Sequence, residues 1–120
     1  MKTFYVSLGI FLLTLVLIVC NAVYIHHITN ELQKRLDSLP ACERAGDALE
    51  ALQAYWDRHQ CGIELSVSSS TVWQMRDRIA EMKAASAVAD AVEFELARAL
   101  AQSIVLRVQR AECLTLENLF

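Results

Sequence analysis

Between Thr3 and Ile25 the chain carries no Asp, Glu, Lys, Arg or His, and Phe, Leu, Ile and Val dominate. Coiled as an α-helix, this run is about 34 Å long, enough to cross a hydrocarbon core of about 30 Å. Its Phe, Leu, Ile and Val residues each favour insertion by roughly 0.3 to 0.6 kcal/mol, which together outweighs Ser7, Gly9 and Asn21. Tyr5 and Tyr24 stand near the two ends, where an amphipathic ring suits the interface. Residues 1–25 are therefore expected to be a transmembrane anchor, with residues 3–25 in contact with the lipid bilayer. A cleavable signal sequence competes, because Lys2 supplies a charged start and Cys20-Asn21-Ala22 a weak small-residue site. The apolar run is longer than a usual signal core. A lipoprotein at Cys20 fits worse, since Val19 holds the position where a small residue is needed.

The helical rhythm continues past the membrane. Ile25, Ile28, Leu32, Leu36 and Leu39 recur at spacings of three and four, which predicts a juxtamembrane helix over 26–39. Pro40 disfavours helical geometry at Leu39 and suits the first turn of a new helix, capped by Asp37 or Ser38. The stripe of that second helix reads Ala45, Leu49, Leu52, Trp56 and His59, and Gly62 is a natural stop. Cys61 to Ser70 reads as a loop, with Ile63, Leu65 and Val67 alternating as a lid over the helices. Ser68-Ser69-Ser70 reads as capping and loop solvation. Thr71-Val72-Trp73-Gln74 fits a capping box, and Val72, Met75, Ile79 and Met82 follow as a stripe. Continuing that stripe would bury Ser86 and Glu93, so a break is expected near Ser86.

The last helix, to about Ala111, carries two apolar stripes. One comprises Val92, Leu96, Ala99, Ser103 and Leu106, the other Phe94, Ala101, Ile104, Val105 and Val108. A helix apolar over so much of its surface is expected between two neighbours, and a charge at Leu96 is then expected to cost several kcal/mol. The tail from Leu114 is expected to fold back on the bundle. The fold class is all-α: an N-terminal transmembrane helix continuing into a small antiparallel helical bundle over 40–120.

Composition narrows the function. The chain has 120 residues, 55% of them apolar, with three Gly and one Pro, which excludes disorder, a turn-rich β fold and a second domain. All acidic residues lie at or beyond Glu31, the net charge is -3, and the Lys and Arg are scattered without interleaved aromatics. Nucleic acid is not drawn to such a surface.

Candidate chemistry is sparse. The four cysteines show no Cys-x-x-Cys spacing. His26 and His27 point about 100° apart on a helix and do not clamp one metal. His59-Gln60-Cys61 lacks the convergent third ligand or base that zinc binding or thiol catalysis needs. No Gly-rich phosphate loop occurs, so the chain is not expected to be an enzyme or to hold a cofactor or metal. In an up-down bundle the last helix runs parallel to the second, which brings Cys113 to the end where Cys61 lies. Any internal disulfide is therefore expected between Cys61 and Cys113, closing a loop of about fifty residues and contributing about 4 kcal/mol.

The layout resembles the domain of unknown function 4363 family, small bacterial proteins with an N-terminal membrane helix and a helical remainder. The features carrying the resemblance are the opening helix, Glu31-Leu32-Gln33-Lys34-Arg35-Leu36-Asp37-Ser38-Leu39 after it, the Trp56-centred second helix and the tail Leu116-Glu117-Asn118-Leu119-Phe120. It implies a membrane-tethered domain acting beside an integral membrane protein of the YetF-like type, and an extracytoplasmic location. Lys34, Arg35 and Arg44, taken by the positive-inside rule alone, favour the cytoplasmic side. The expected role is a single-pass, membrane-anchored interaction module. A ligand- or stress-sensing bundle, with Trp56, Trp73, Met75 and Met82 lining a pocket, is the alternative, as is a secreted helical protein released by signal cleavage.

Overall fold

In the computed structural model, residues 1–65 and 67–119 are described, with side chains described through Leu114. The elements are α1 (Lys2–Asp37), a 3-10 turn (Cys42–Arg44), α2 (Gly46–Glu64), α3 (Ser69–Ala87) and α4 (Ala91–Leu119). No strand occurs among the described residues. The whole measures 68 × 24 × 23 Å, the length being set by α1.

α1 is unbroken from the apolar run into the bundle. From Phe4 to Leu13 the large apolar side chains are exposed on every side of the helix, while Leu15 and Ile18 are half-buried. From Ala22 one face turns inward, burying Ile25, Ile28, Thr29, Leu32 and Leu36. Residues 26–39 thus supply core of the bundle. Thr29, the one buried polar residue of that face, donates its hydroxyl to the carbonyl of Ile25, 2.9 Å away, which satisfies it without a partner from another helix.

The four helices form an up-down square. No Cα of α1 lies within 8 Å of one in α3, and none of α2 within 8 Å of one in α4, so these are the diagonals. α4 sits between α1 and α3, and like each helix of the square it has two neighbours. It runs antiparallel to α1: Gln102 Nε2 donates to Asp37 Oδ1 at 2.8 Å, and Gln109 Nε2 to Asn30 Oδ1 at 3.1 Å. The core is built from Leu49, Leu52 and Trp56 of α2, Val72, Met75, Ile79 and Met82 of α3, and Phe94, Ala97, Ala101, Ile104 and Val105 of α4. α3 and α4 approach most closely, through alanines Ala85, Ala97 and Ala101, since short side chains let helix axes come together.

Several sequence expectations are corrected. Neither Asp37 nor Ser38 caps α2. Ser38 ends α1, donating its hydroxyl to the Lys34 carbonyl at 2.7 Å. Burial of Leu39 and Cys42 then turns the chain through Pro40 and the 3-10 turn, and α2 begins only at Gly46. Gly62 does not stop α2, which runs to Glu64. Ile63 is buried as part of that helix and Leu65 is 87% exposed, so no alternating lid forms. The α3 cap is Ser68, whose hydroxyl accepts from the Thr71 amide at 3.4 Å. Thr71 therefore lies inside the first turn. Beyond Leu114 the backbone continues α4 to Leu119 and does not fold back; Phe120 lies outside the described residues.

The largest correction concerns α4. Only the Phe94 stripe is buried, whereas Val92 is 79% and Leu96 53% exposed. A helix at the corner of a square has two neighbours about 90° apart, so its outer side stays open. A charge at Leu96 would sit in solvent.

The expected break near Ser86 is a helix-ending turn. The Asp90 amide donates to the Ala85 carbonyl at 2.9 Å and the Ala89 amide to Ser86 at 3.3 Å, the paired bonds of a Schellman motif. Ala89 supplies the left-handed residue, φ 55°, a position usually given to glycine. Asp90 then opens α4, its carboxylate accepting from the Glu93 amide at 3.2 Å. Ala89→Gly is expected to relieve the Cβ clash and stabilise the bundle by about 1 kcal/mol, raising its melting temperature by about 5 °C. Circular dichroism melts in detergent measure this, and a lowered midpoint would contradict the left-handed turn.

Candidate functional site

The most densely interacting polar region lies in the α1–α2 seam, where the apolar run enters the bundle. Tyr24 stands near the end of that run, and its hydroxyl lies 3.0 Å from His59 Nδ1 on α2. The His59 ring packs on Tyr55, centroid to centroid 4.6 Å. The Arg35 guanidinium stacks over the other part of the cluster, 4.7 Å from the Tyr55 ring centre, and pairs with Glu31 at 3.2 Å. A cation over an aromatic face is attracted by the ring quadrupole. These bulky rings hold α1 and α2 apart, making this the loosest of the four seams.

Gly62 lets Tyr24 into the seam. A Cβ there would stand 2.6 Å from the Tyr24 hydroxyl oxygen and 3.0 Å from two ring carbons. The glycine expected to end α2 instead makes room inside it. The seam also holds polar atoms without a hydrogen-bond partner in the protein, Tyr55 Oη and Trp56 Nε1. Each such atom weighs against stability by about 1–3 kcal/mol unless solvated.

Burial lowers the pKa of His59 below the usual histidine value, and the positive charges of Arg58 and His27 lower it further. Burial raises that of Tyr55, with the Glu31 carboxylate adding to the effect. Both groups are therefore held neutral at pH 7. The His59, Tyr24 and Tyr55 rings together tether α1 to α2.

The other sequence-singled residues are dispersed. His26 Nε2 lies 3.1 Å from the Asn30 side-chain amide on the same helix, and His27 is exposed. No three His, Cys, Asp or Glu side chains converge as metal ligands among the described residues. Cys61 and Cys113 are exposed free thiols, and the disulfide expected between them is not formed. The reason is the diagonal relation of α2 and α4: their Cα atoms stay more than 8 Å apart, beyond the about 7 Å a disulfide spans. Running parallel brought the two cysteines to one end of the bundle but not to adjacent corners. Cys42, which the sequence left without a role, is buried and donates its thiol to the Ala85 carbonyl at 3.5 Å. Burial, then Glu43, Asp90 and Glu95, raise its pKa.

Two openings are relevant. The core cavity lined by Trp56 and Met75 measures about 20 Å³, room for one water. Met82 is buried elsewhere in the core and Trp73 is exposed, its ring stacked with Arg76 at 5.3 Å, so the four residues expected around a ligand do not share a pocket. A groove of about 270 Å³ separates α1 and α4 at Val19, Ala22, Val23, His26, Glu112 and Cys113. Burial raises the pKa of Glu112 at its rim.

The fold and these features define an all-α up-down bundle on an N-terminal helix long and apolar enough to cross a membrane. No family model matches the chain, and no curated protein and no solved structure matches it.

Gly62→Ala is expected to destabilise the bundle by about 1 kcal/mol, because the clash with Tyr24 exceeds alanine's better helix propensity. Combined with Tyr24→Ala the same change is expected to stabilise, by a similar amount. A double-mutant cycle of melting free energies reads this reversal, and additive effects would contradict the contact.

His59, with a folded pKa below its unfolded 6.5, binds fewer protons folded than unfolded. Its contribution to stability is therefore complete above about pH 6.5 and is lost as pH falls from there through the folded value. His59→Gln is expected to flatten that part of the stability–pH curve, measured by chemical denaturation between pH 5 and 7. An unchanged slope would show that His59 is solvated.

Proposed function

We propose that this chain is a membrane-anchored interaction module: α1 crosses the bilayer and carries, directly above it, a rigid bundle that works by protein contact. The observation that carries the reading is the continuity of α1. Large apolar side chains from Phe4 to Leu13 are exposed on every side of the same helix whose later turns form the core. Water does not tolerate so large an exposed apolar sleeve, and lipid does. The sensing alternative has less support, since the cavity at Trp56 and Met75 takes no more than a water.

In this reading the lipid-facing side of α1 meets an integral membrane partner, as the resemblance to the domain of unknown function 4363 family implies, and the bundle stands outside the cytoplasm. The α2–α3 turn at Leu65 and the C-terminal turns of α4 then lie against the interface. Leu65, 87% exposed, suits the headgroup boundary.

The full-length chain is expected to stay in the membrane pellet through alkaline carbonate. Cys61 is expected to react with an impermeant maleimide on intact cells, while buried Cys42 stays unlabelled. A soluble chain beginning near Asn21 or Val23 would overturn the anchor. Labelling of Cys61 only after lysis would overturn the outside location.

A further inference from the structure

The outer face of α4 has its own period. Val92, Leu96, Ala99, Ser103 and Leu106 recur at alternating spacings of four and three, and Arg110 and Cys113 continue the series; all are exposed. A strict repeat of 3.5 residues is the seam of a coiled coil, whereas packing inside a globular bundle asks only for the 3.6 period. α4 meets both demands on different sides, since Phe94, Ala97, Ala101, Ile104 and Val105 bind it to its own bundle. Leu100 and Leu114 flank the seam and are also exposed.

We infer that this face pairs with the same face of a second copy, parallel and in register, with Cys113 opposite the other copy's Cys113. The inference rests on the anchored reading. α1 and α4 are antiparallel parts of one rigid bundle, so anchored copies all point α4 towards the bilayer and hold it at one height. That geometry selects a parallel pair and excludes the antiparallel one. In the parallel register the flanking positions meet as Glu95 with Leu100, Gln102 with Arg107, and Gln109 with Leu114, so no like charges oppose there. Arg110 alone is a charged seam position, and its long stem lets the guanidinium leave the seam for water. Ala99 and Ser103 at the middle allow close approach between Leu96 and Leu106.

Val92, Leu96, Leu100, Leu106 and Leu114 offer at most about 1,000 Å² to be buried by the pair, at the lower bound of a specific interface. Two such faces held in one membrane at a fixed height gain the effective concentration that free chains in solution lack. A face of this modest size is therefore adequate on a bilayer and weak in detergent.

The test uses the full chain in its native membranes with Cys20→Ser and Cys61→Ser, leaving Cys113 as the accessible thiol. A short bismaleimide is expected to give a two-chain adduct as the main product. Leu96→Glu is expected to lower its yield about tenfold with the melting temperature unchanged, because Leu96 is outside the core. Ser103→Glu, a second exposed seam position, is expected to do the same. Alkaline carbonate extraction of the same sample reads the anchor independently: a soluble chain would overturn the anchored reading. A chain that stays in the pellet but gives no two-chain adduct would overturn the pairing. So would an adduct with a different protein, or a two-chain adduct indifferent to both glutamates.

Discussion

A helix of 36 residues runs without a break from an exposed apolar stretch into the core of the bundle, and the remaining elements are arranged around it. Its first three turns expose apolar side chains in every direction, while from Ala22 a single stripe is buried and the opposite side is mostly polar. Because an α-helix is stiff over this length, the stripe at Ile25, Ile28, Leu32 and Leu36 fixes where α2 and α4 dock and how they stand relative to the apolar run. Gly62, near the end of α2, falls at the level of Tyr24, and the Schellman turn at Ala89 falls at the far end.

The four seams of the square are unequal, and side-chain size explains the order. Alanines draw α3 and α4 together, whereas Tyr24, Tyr55, Trp56 and His59 prop α1 from α2. The propped seam keeps partner-less polar atoms that a tighter seam would exclude. Its Tyr24–His59 pair, with Gly62 making room, joins the bundle to the helix that leaves it. The polar cluster is thus best understood as a joint between stalk and bundle.

The two ends of α4 differ in the same physical sense. Towards Asp90 it is locked by a capping carboxylate and by the turn before it; towards Leu119 it runs alongside α1 and borders a groove that holds Glu112 at raised pKa. Its inner face is committed to the core. The outer face, with its separate heptad spacing, is the part of the bundle surface best suited to another helix, and the anchor proposed for α1 would decide which way that helix points.

The all-α class, the long apolar helix, the stripes of α2 and α3 and the break after Ser86 were legible in the sequence, because each rests on local periodicity. Hydropathy repeats at three and four mark a face whatever that face later meets. Capping was less legible: Ser38, Ser68, Thr71 and Asp90 are all competent caps, and burial of Leu39 and Cys42 left Ser38 at the end of α1 instead of the start of α2. Gly62 reads identically as a stop and as a space for Tyr24, since a missing side chain carries no record of its neighbour. Leu96 and the Cys61–Cys113 pairing were misplaced for one shared reason. Periodicity says that two faces of α4 are apolar and that α2 and α4 are parallel, but not which corners of the square they occupy. Only the tertiary arrangement put α2 and α4 on a diagonal, which separated the cysteines and left one apolar face of α4 open.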